Sequence, residues 1–158
     1  MTMIECQKMT QDTLADAYSL LTNFLSQDEY YLDSSAAYGD SGNAALFDAL
    51  KLFLDHPEHG FVWLAYDHEV VVGVCLVNLA ISTSIGAIVA RLDDFYVATG
   101  KHRRGIGTAM LDALRAELDQ ADVRRIDTSV HMLNDGGRRF YQKNGFLLLN
   151  EERLSRVL

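Results

Sequence analysis

Residues 101–107, KHRRGIG, crowd four basic side chains (Lys101, His102, Arg103 and Arg104) against Gly105 and Gly107, where helical periodicity begins. Ile106, Met110, Leu114 and Leu118 fall four apart with Leu111 beside them, while Asp112, Arg115 and Asp119 face away. The first turn of a helix already carries the positive end of the backbone dipole and N–H groups without partners. A helix built only for stability would place Asp or Glu there. Basic side chains, free N–H groups and glycines that admit close backbone approach suit a polyanion instead, most simply a di- or polyphosphate.

Other residues with chemical potential are fewer. His56-Pro57-Glu58-His59-Gly60 sets two histidines around a glutamate, but the spacing is not HExxH and no third ligand cluster accompanies it, so it reads as a turn and no metal is expected. Cys6 and Cys75 lie far apart in apolar, strand-like settings without a CxxC, as reduced core residues do. The polar stretch 27–43 carries Tyr30, Tyr31, Asp33, Tyr38 and Asp40 without clear periodicity. Two readings stay open for it: a substrate-binding loop with Tyr30, Tyr31 and Asp33 as contacts, or a surface loop with packed tyrosines.

The chain of 158 residues, 49% hydrophobic, suits one domain spanning 1–158 with a real core. Its formal net charge of −8 argues against nucleic-acid binding and suits a cationic small molecule or basic peptide. Neither a signal peptide nor a membrane-spanning run is visible, so a cytoplasmic location is expected, with no membrane partner.

These residues need a frame to hold them. Met3 to Met9 reads as a strand, and Thr10 or Asp12 caps a helix to about Ser26 through Leu14, Ala17, Tyr18, Leu21 and Phe24 or Leu25. Ala44 to Leu54 forms a second helix. Phe61 to Tyr66 and Val70 to Ile81 form a hairpin about Asp67-His68-Glu69, and VVVGVCLV suits a strand buried on both faces. Ile88 to Val97, the helix from Gly105, and the strand Val123 to His131 follow. Asn134 then caps a short helix that Gly145 ends, and Phe146 to Leu149 and Leu154 to Val157 finish as strands. The expected fold is mixed α/β, six to seven strands and about four helices, antiparallel at its start.

Two stretches together resemble the GNAT superfamily of N-acetyltransferases, which use acetyl-coenzyme A (acetyl-CoA). LDDFYVATGKHRRGIGTAML is similar to the family's Q/R-x-x-G-x-G/A motif, with Gly105 and Gly107 at the glycine positions and His102 at the Q/R position. NDGGRRFYQKNGF is similar to the N-x-x-A-x-x-F/L-Y-x-K-x-G-F segment; Asn134 and Tyr141 stand seven apart and Gly137 replaces the usual Ala. The resemblance implies a GNAT-like splayed sheet with the cosubstrate wedged between the strands 88–97 and 123–131. It also implies that the backbone of Phe95, Tyr96 and Val97 pairs with the pantetheine arm. His102, Arg103, Arg104, Gly105, Ile106, Gly107 and Thr108 would hold the pyrophosphate, Asn134 would contact the coenzyme, and Tyr141 would sit near its sulfur.

The implied chemistry is direct acetyl transfer to a primary amine, with Tyr141 as the acid and Asp93 or Asp94 as the base. Strand alternation is expected to send the two aspartates to opposite faces. A cationic acceptor is favoured, whether small amine, polyamine, aminoglycoside or lysine side chain, and a homodimer is left open. An acyl-cysteine route is disfavoured, because neither cysteine has a partnered His. The alternative is a non-catalytic acyl-CoA sensor on the same fold. A dinucleotide site fits less well, since the third glycine of GxGxxG would fall at Met110.

Overall fold

Leu14, Ala17, Leu20 and Leu21 fall on one side of a helical wheel, and all four are buried against the sheet. That stripe makes α1 (Leu14–Gln27), which follows strand β1 (Ile4–Lys8) and a 3₁₀ turn at Gln11–Thr13. The computed structural model describes residues 3–98, 100 and 105–158. The chain continues through α2 (Glu29–Tyr38), α3 (Asn43–Asp55), β2 (Gly60–Asp67), β3 (Val70–Ser82) and β4 (Ala87–Val97). It ends with α4 (Ile106–Gln120), β5 (Ile126–Thr128) and α5 (Asp135–Lys143).

The five strands form one sheet in the order β1-β2-β3-β4-β5, antiparallel from β1 to β4 and parallel between β4 and β5. Each face carries its own core. On one, Met110, Leu111, Leu114 and Leu118 of α4 meet Trp63, Cys75, Val77, Ala90 and Leu92. The Trp63 indole N–H donates to the Met110 carbonyl oxygen at 3.1 Å, which ties the first half of α4 to the sheet. On the other, Leu14, Leu21, Leu46 and Leu50 of α1 and α3 cover Val62, Leu64 and Val74. The middle of β3 is buried from both sides, as its near-continuous apolar run implies.

Three expectations are corrected. Residues 27–43 are not an irregular loop, because α2 occupies most of them. Asp28 caps it by accepting from the Tyr31 N–H at 2.9 Å, and Gly39 (φ 74°) ends it. The strand expected over Val123 to His131 shrinks to Ile126–Thr128, since β4 pairs with only these three residues. Phe146 to Leu149 and Leu154 to Val157 form no strand. Leu147, Leu148, Leu149 and Leu154 are exposed, and a strand without a ladder partner has nothing to hold it extended. Among the described residues the sheet therefore has five strands rather than six to seven, and there are five α-helices rather than four. No helix among the described residues is long and apolar enough to cross a membrane.

Candidate active site

The two parallel strands part company. β4 pairs with β5 at Ala90, Arg91 and Leu92 and then runs on to Val97 with no strand beside it on that edge, among the described residues. A bulge contributes to the parting. Val74 pairs with Tyr96 and Leu76 with Asp93, so Asp94 and Phe95 together stand opposite Cys75. Asp94 adopts φ 51°, a left-handed conformation uncommon outside glycine. An extra residue of this kind bends and twists its strand. Phe95, Tyr96 and Val97 thus lie beyond the stretch that β5 covers, while Tyr96 and Val97 stay paired with β3.

The far wall is α4 and α5. Gly105 is the N-cap of α4 in a left-handed conformation (φ 74°), no side chain caps it, and the first turn has no acidic residue. A helix start of this kind is suited to an anion. A Cβ on Gly107 would lie 3.2 Å from the Phe140 ring and 3.6 Å from Phe95, so its bare backbone lets α4, β4 and α5 close on one another. His102, Arg103 and Arg104 lie outside the described residues.

Asn134 caps α5 by accepting from the Gly137 N–H at 2.9 Å. Tyr141, two turns on, stands edge-on to Phe95 (6.2 Å), Phe140 (5.2 Å) and Phe146 (5.2 Å). Burial pushes the Tyr141 phenol well above its ordinary range, and Cys75 and Asp93 add to the shift while Thr128 opposes it, so the group keeps its proton and can donate.

The bulge interrupts the regular strand on which the alternation expected of Asp93 and Asp94 rests; Asp93 pairs with Arg153 of the segment after α5, and the same charge bears on Asp94. Asp93 accepts from the Asn78 side-chain amide at 3.0 Å and pairs with Arg91 at 3.7 Å and Arg153 at 3.6 Å. Burial raises Asp94 to about 6; Asp93 and the more distant Asp28 push the same way, and Arg153 opposes them. The thiols are held protonated: burial pushes Cys6 up to about 11, and burial, with Asp94 and Asp93 beside it, holds Cys75 well above its ordinary value.

Of the acceptor-side residues expected from sequence, all three sit on α2 with partners already made. The Tyr31 phenol donates to Asp40 at 2.7 Å, the Tyr30 ring lies 5.2 Å from the His131 ring, and Asp33 meets His131 Nε2 at 2.8 Å. His131 Nδ1 accepts from the Leu133 N–H at 3.1 Å, so Nε2 carries the proton donated to Asp33. His131, just past the end of β5, thereby clasps α2 to the far side of the splay. Sequence reasoning missed both His131 and Arg153, since each acts through a partner distant in the chain.

A mixed sheet that opens between two parallel strands, with a glycine-led helix start at its mouth, is the arrangement that the resemblance implied. The chain belongs to the acetyltransferase (GNAT) family, whose model matches residues 19–146. A possible acetyltransferase from Clostridium difficile 630 shares the fold at TM-score 0.80 and 15% identity over 98% of this chain and 97% of that one. A predicted acetyltransferase from Clostridium acetobutylicum, solved with acetyl-CoA, gives TM-score 0.74 and 18% identity over 98% and 96%. An aminoglycoside acetyltransferase from an uncultured soil metagenomic sample, solved with sisomicin, gives 0.76 and 13% over 98% and 96%. No curated protein matches the chain.

Proposed function

We propose that the protein transfers an acetyl group from acetyl-CoA directly to a primary amine. The observation that carries this reading is the meeting of three parts at one mouth. The start of α4, the stretch of β4 that runs on past β5 and Tyr141 of α5 converge there, joined through Gly107, Phe95 and Phe140. Residues of this kind fit acetyl-CoA: N–H groups for the pyrophosphate, an open strand edge for the amides of the pantetheine arm, and a phenol for the sulfur.

When bound, acetyl-CoA supplies a thioester, an acyl group already activated toward attack by nitrogen. Asp94, raised to about 6, is ionised at neutral pH yet basic enough to take the proton that the amine sheds as its nitrogen bonds to the carbonyl carbon. Backbone N–H groups on the open edge of β4 stabilise the oxyanion formed at that carbon. Tyr141 gives its phenolic proton to the sulfur as the C–S bond breaks and the sulfur departs with the bonding pair. Solvent returns the proton from Asp94 to Tyr141, leaving amide and free thiol as the products.

Direct transfer is favoured over an acyl-cysteine intermediate, because both thiols are held in their unreactive protonated form. A cationic acceptor accords with the chain's net charge of −8 and with the acidic groups Asp28, Asp93 and Asp94. A cytoplasmic location is part of the same proposal.

A thermal-shift titration with acetyl-CoA, with NAD and ATP as controls, tests the first half. Ligand at about 100 times its dissociation constant stabilises a fold by roughly 2.7 kcal/mol. A shift with acetyl-CoA alone, followed by thiol release in the presence of amines, supports transfer. A shift without release for any amine supports a binding module instead, and no shift at millimolar acetyl-CoA overturns both.

A further inference from the structure

Arg153 reaches back from the segment after α5 to the bulged end of β4. Its guanidinium stands 3.6 Å from Asp93 and 5.4 Å above the Tyr38 ring. A carboxylate on one side and an aromatic face on the other make a cation-recognition pair. The arrangement is loosely held. At 3.6 Å the contact is an ion pair rather than a hydrogen bond, and the Arg153 side chain is 43% exposed. Its segment is tied to α2 by the Ser155 hydroxyl donating to the Ala37 carbonyl oxygen at 3.2 Å, and by Val157 lying against Gly39.

We infer that Arg153 sits in a cation subsite of the acceptor surface, and that the acceptor is a small di- or polyamine whose second, non-reacting ammonium takes its place. The inference rests on the transfer reading above. The nitrogen that attacks must be neutral, so a site built to hold a cation is not the seat of the reacting amine. Asp93 anchors the charged end, while Asp94, the next residue along the bulge, faces the nitrogen that loses its proton. A small amine has only to displace one side chain. A protein acceptor would have to lift the whole segment from α2, which makes the small molecule the better fit. The arginine keeps the subsite occupied until a diffusible cation competes for it.

The test compares 1,4-diaminobutane with butylamine on the full chain, in the wild type, Arg153→Ala, Arg156→Ala and Asp93→Asn. Arg156→Ala removes the same charge from the same segment and serves as the control. Calorimetry gives binding of 1,4-diaminobutane, and thiol release from acetyl-CoA gives kcat and KM. At a pH well above 6, where Asp94 stays ionised even without the opposing Arg153 charge, removing an internal competitor that fills most of the subsite should tighten diamine binding and lower its KM about fivefold to tenfold in Arg153→Ala, with kcat unchanged. Butylamine constants and the acetyl-CoA KM should stay as in the wild type, Arg156→Ala should have no effect, and Asp93→Asn should weaken the diamine. Diamine binding that is unchanged or weaker in Arg153→Ala, improved equally by Arg156→Ala, or absent in every variant overturns the subsite. Tighter diamine binding in Arg153→Ala with no thiol release from any amine keeps the subsite and overturns the transfer.

Discussion

The Thr128 hydroxyl donates to the Leu92 carbonyl oxygen at 3.2 Å, on the final paired rung between β4 and β5. The same hydroxyl offsets part of the upward shift of the Tyr141 phenol, so a residue at the fork of the sheet also tunes the proposed acid.

Tyr141→Phe keeps the ring packing against Phe95, Phe140 and Phe146 and removes only the donor. General-acid contributions of this kind are worth on the order of 100-fold, so kcat should fall by about that much while acetyl-CoA affinity holds. Steady-state kinetics with a calorimetric dissociation constant separates the two, and undiminished kcat would remove Tyr141 from the acid role.

Asp94 sets a pH limit. With its carboxyl raised to about 6, the base is ionised above that value, so kcat/KM expressed for the neutral form of the amine should fall roughly tenfold per pH unit below about 6 and level off above it. Asp94→Asn should abolish that limb along with most activity. An unchanged profile in Asp94→Asn would reassign the base.

The same carboxyl trades stability for function. A raised acid binds its proton more tightly in the folded state, so its contribution is greatest below the unfolded value near 3.8 and is lost as pH rises through about 6. At pH 8, Asp94→Asn should therefore melt at a higher temperature than the wild type. Discounting for partial exposure, the gain is on the order of 1 kcal/mol. Equal melting temperatures at pH 8 would show that the carboxylate is not strained.

Gly137 stands where the family commonly has alanine, and a Cβ there would lie 2.7 Å from Asn134 Nδ2 and 3.0 Å from a Val130 methyl. Alanine in a helix interior ordinarily gains about 1 kcal/mol over glycine. Here it should instead displace the Asn134 cap, worth about 1 kcal/mol, and lower stability. Urea denaturation of Gly137→Ala reads the sign directly, and a stabilised variant would mean that the cap moves aside freely.

The His131–Asp33 pair should behave as a clasp on α2. His131→Ala should speed amide exchange across Glu29–Tyr38 and raise the acceptor KM severalfold, with acetyl-CoA binding intact. Exchange confined to other elements would place the clasp's role elsewhere.

What could be read in advance was local. Asn134 and Tyr141 lie on one short helix, so their spacing alone sets the cap and the aromatic two turns apart, and Gly105 marks its helix start in the same way. Helix α2 escaped the hydrophobic pattern because no residue on it is fully buried; Asp28 and Gly39, its two end signals, were the available clue. The bulge at Asp94 and Phe95 escaped because alternation assumes a regular strand, and the bulge depends on how β3 pairs with β4. The run Leu147-Leu148-Leu149 has strand-forming residues and no partner strand, which composition does not reveal. Asp33 with His131 and Asp93 with Arg153 are pairs made by folding, each joining residues far apart in the chain.

Trp63 is the chain's single tryptophan, and it is buried with its indole N–H bonded to α4 at Met110. Nature has in effect placed one fluorophore at the root of the helix whose tip would meet the pyrophosphate. Its emission, blue-shifted by the apolar surroundings, is an unlabelled optical reporter: a ligand that pulls on α4 changes the intensity or wavelength of one signal with no second tryptophan to dilute it.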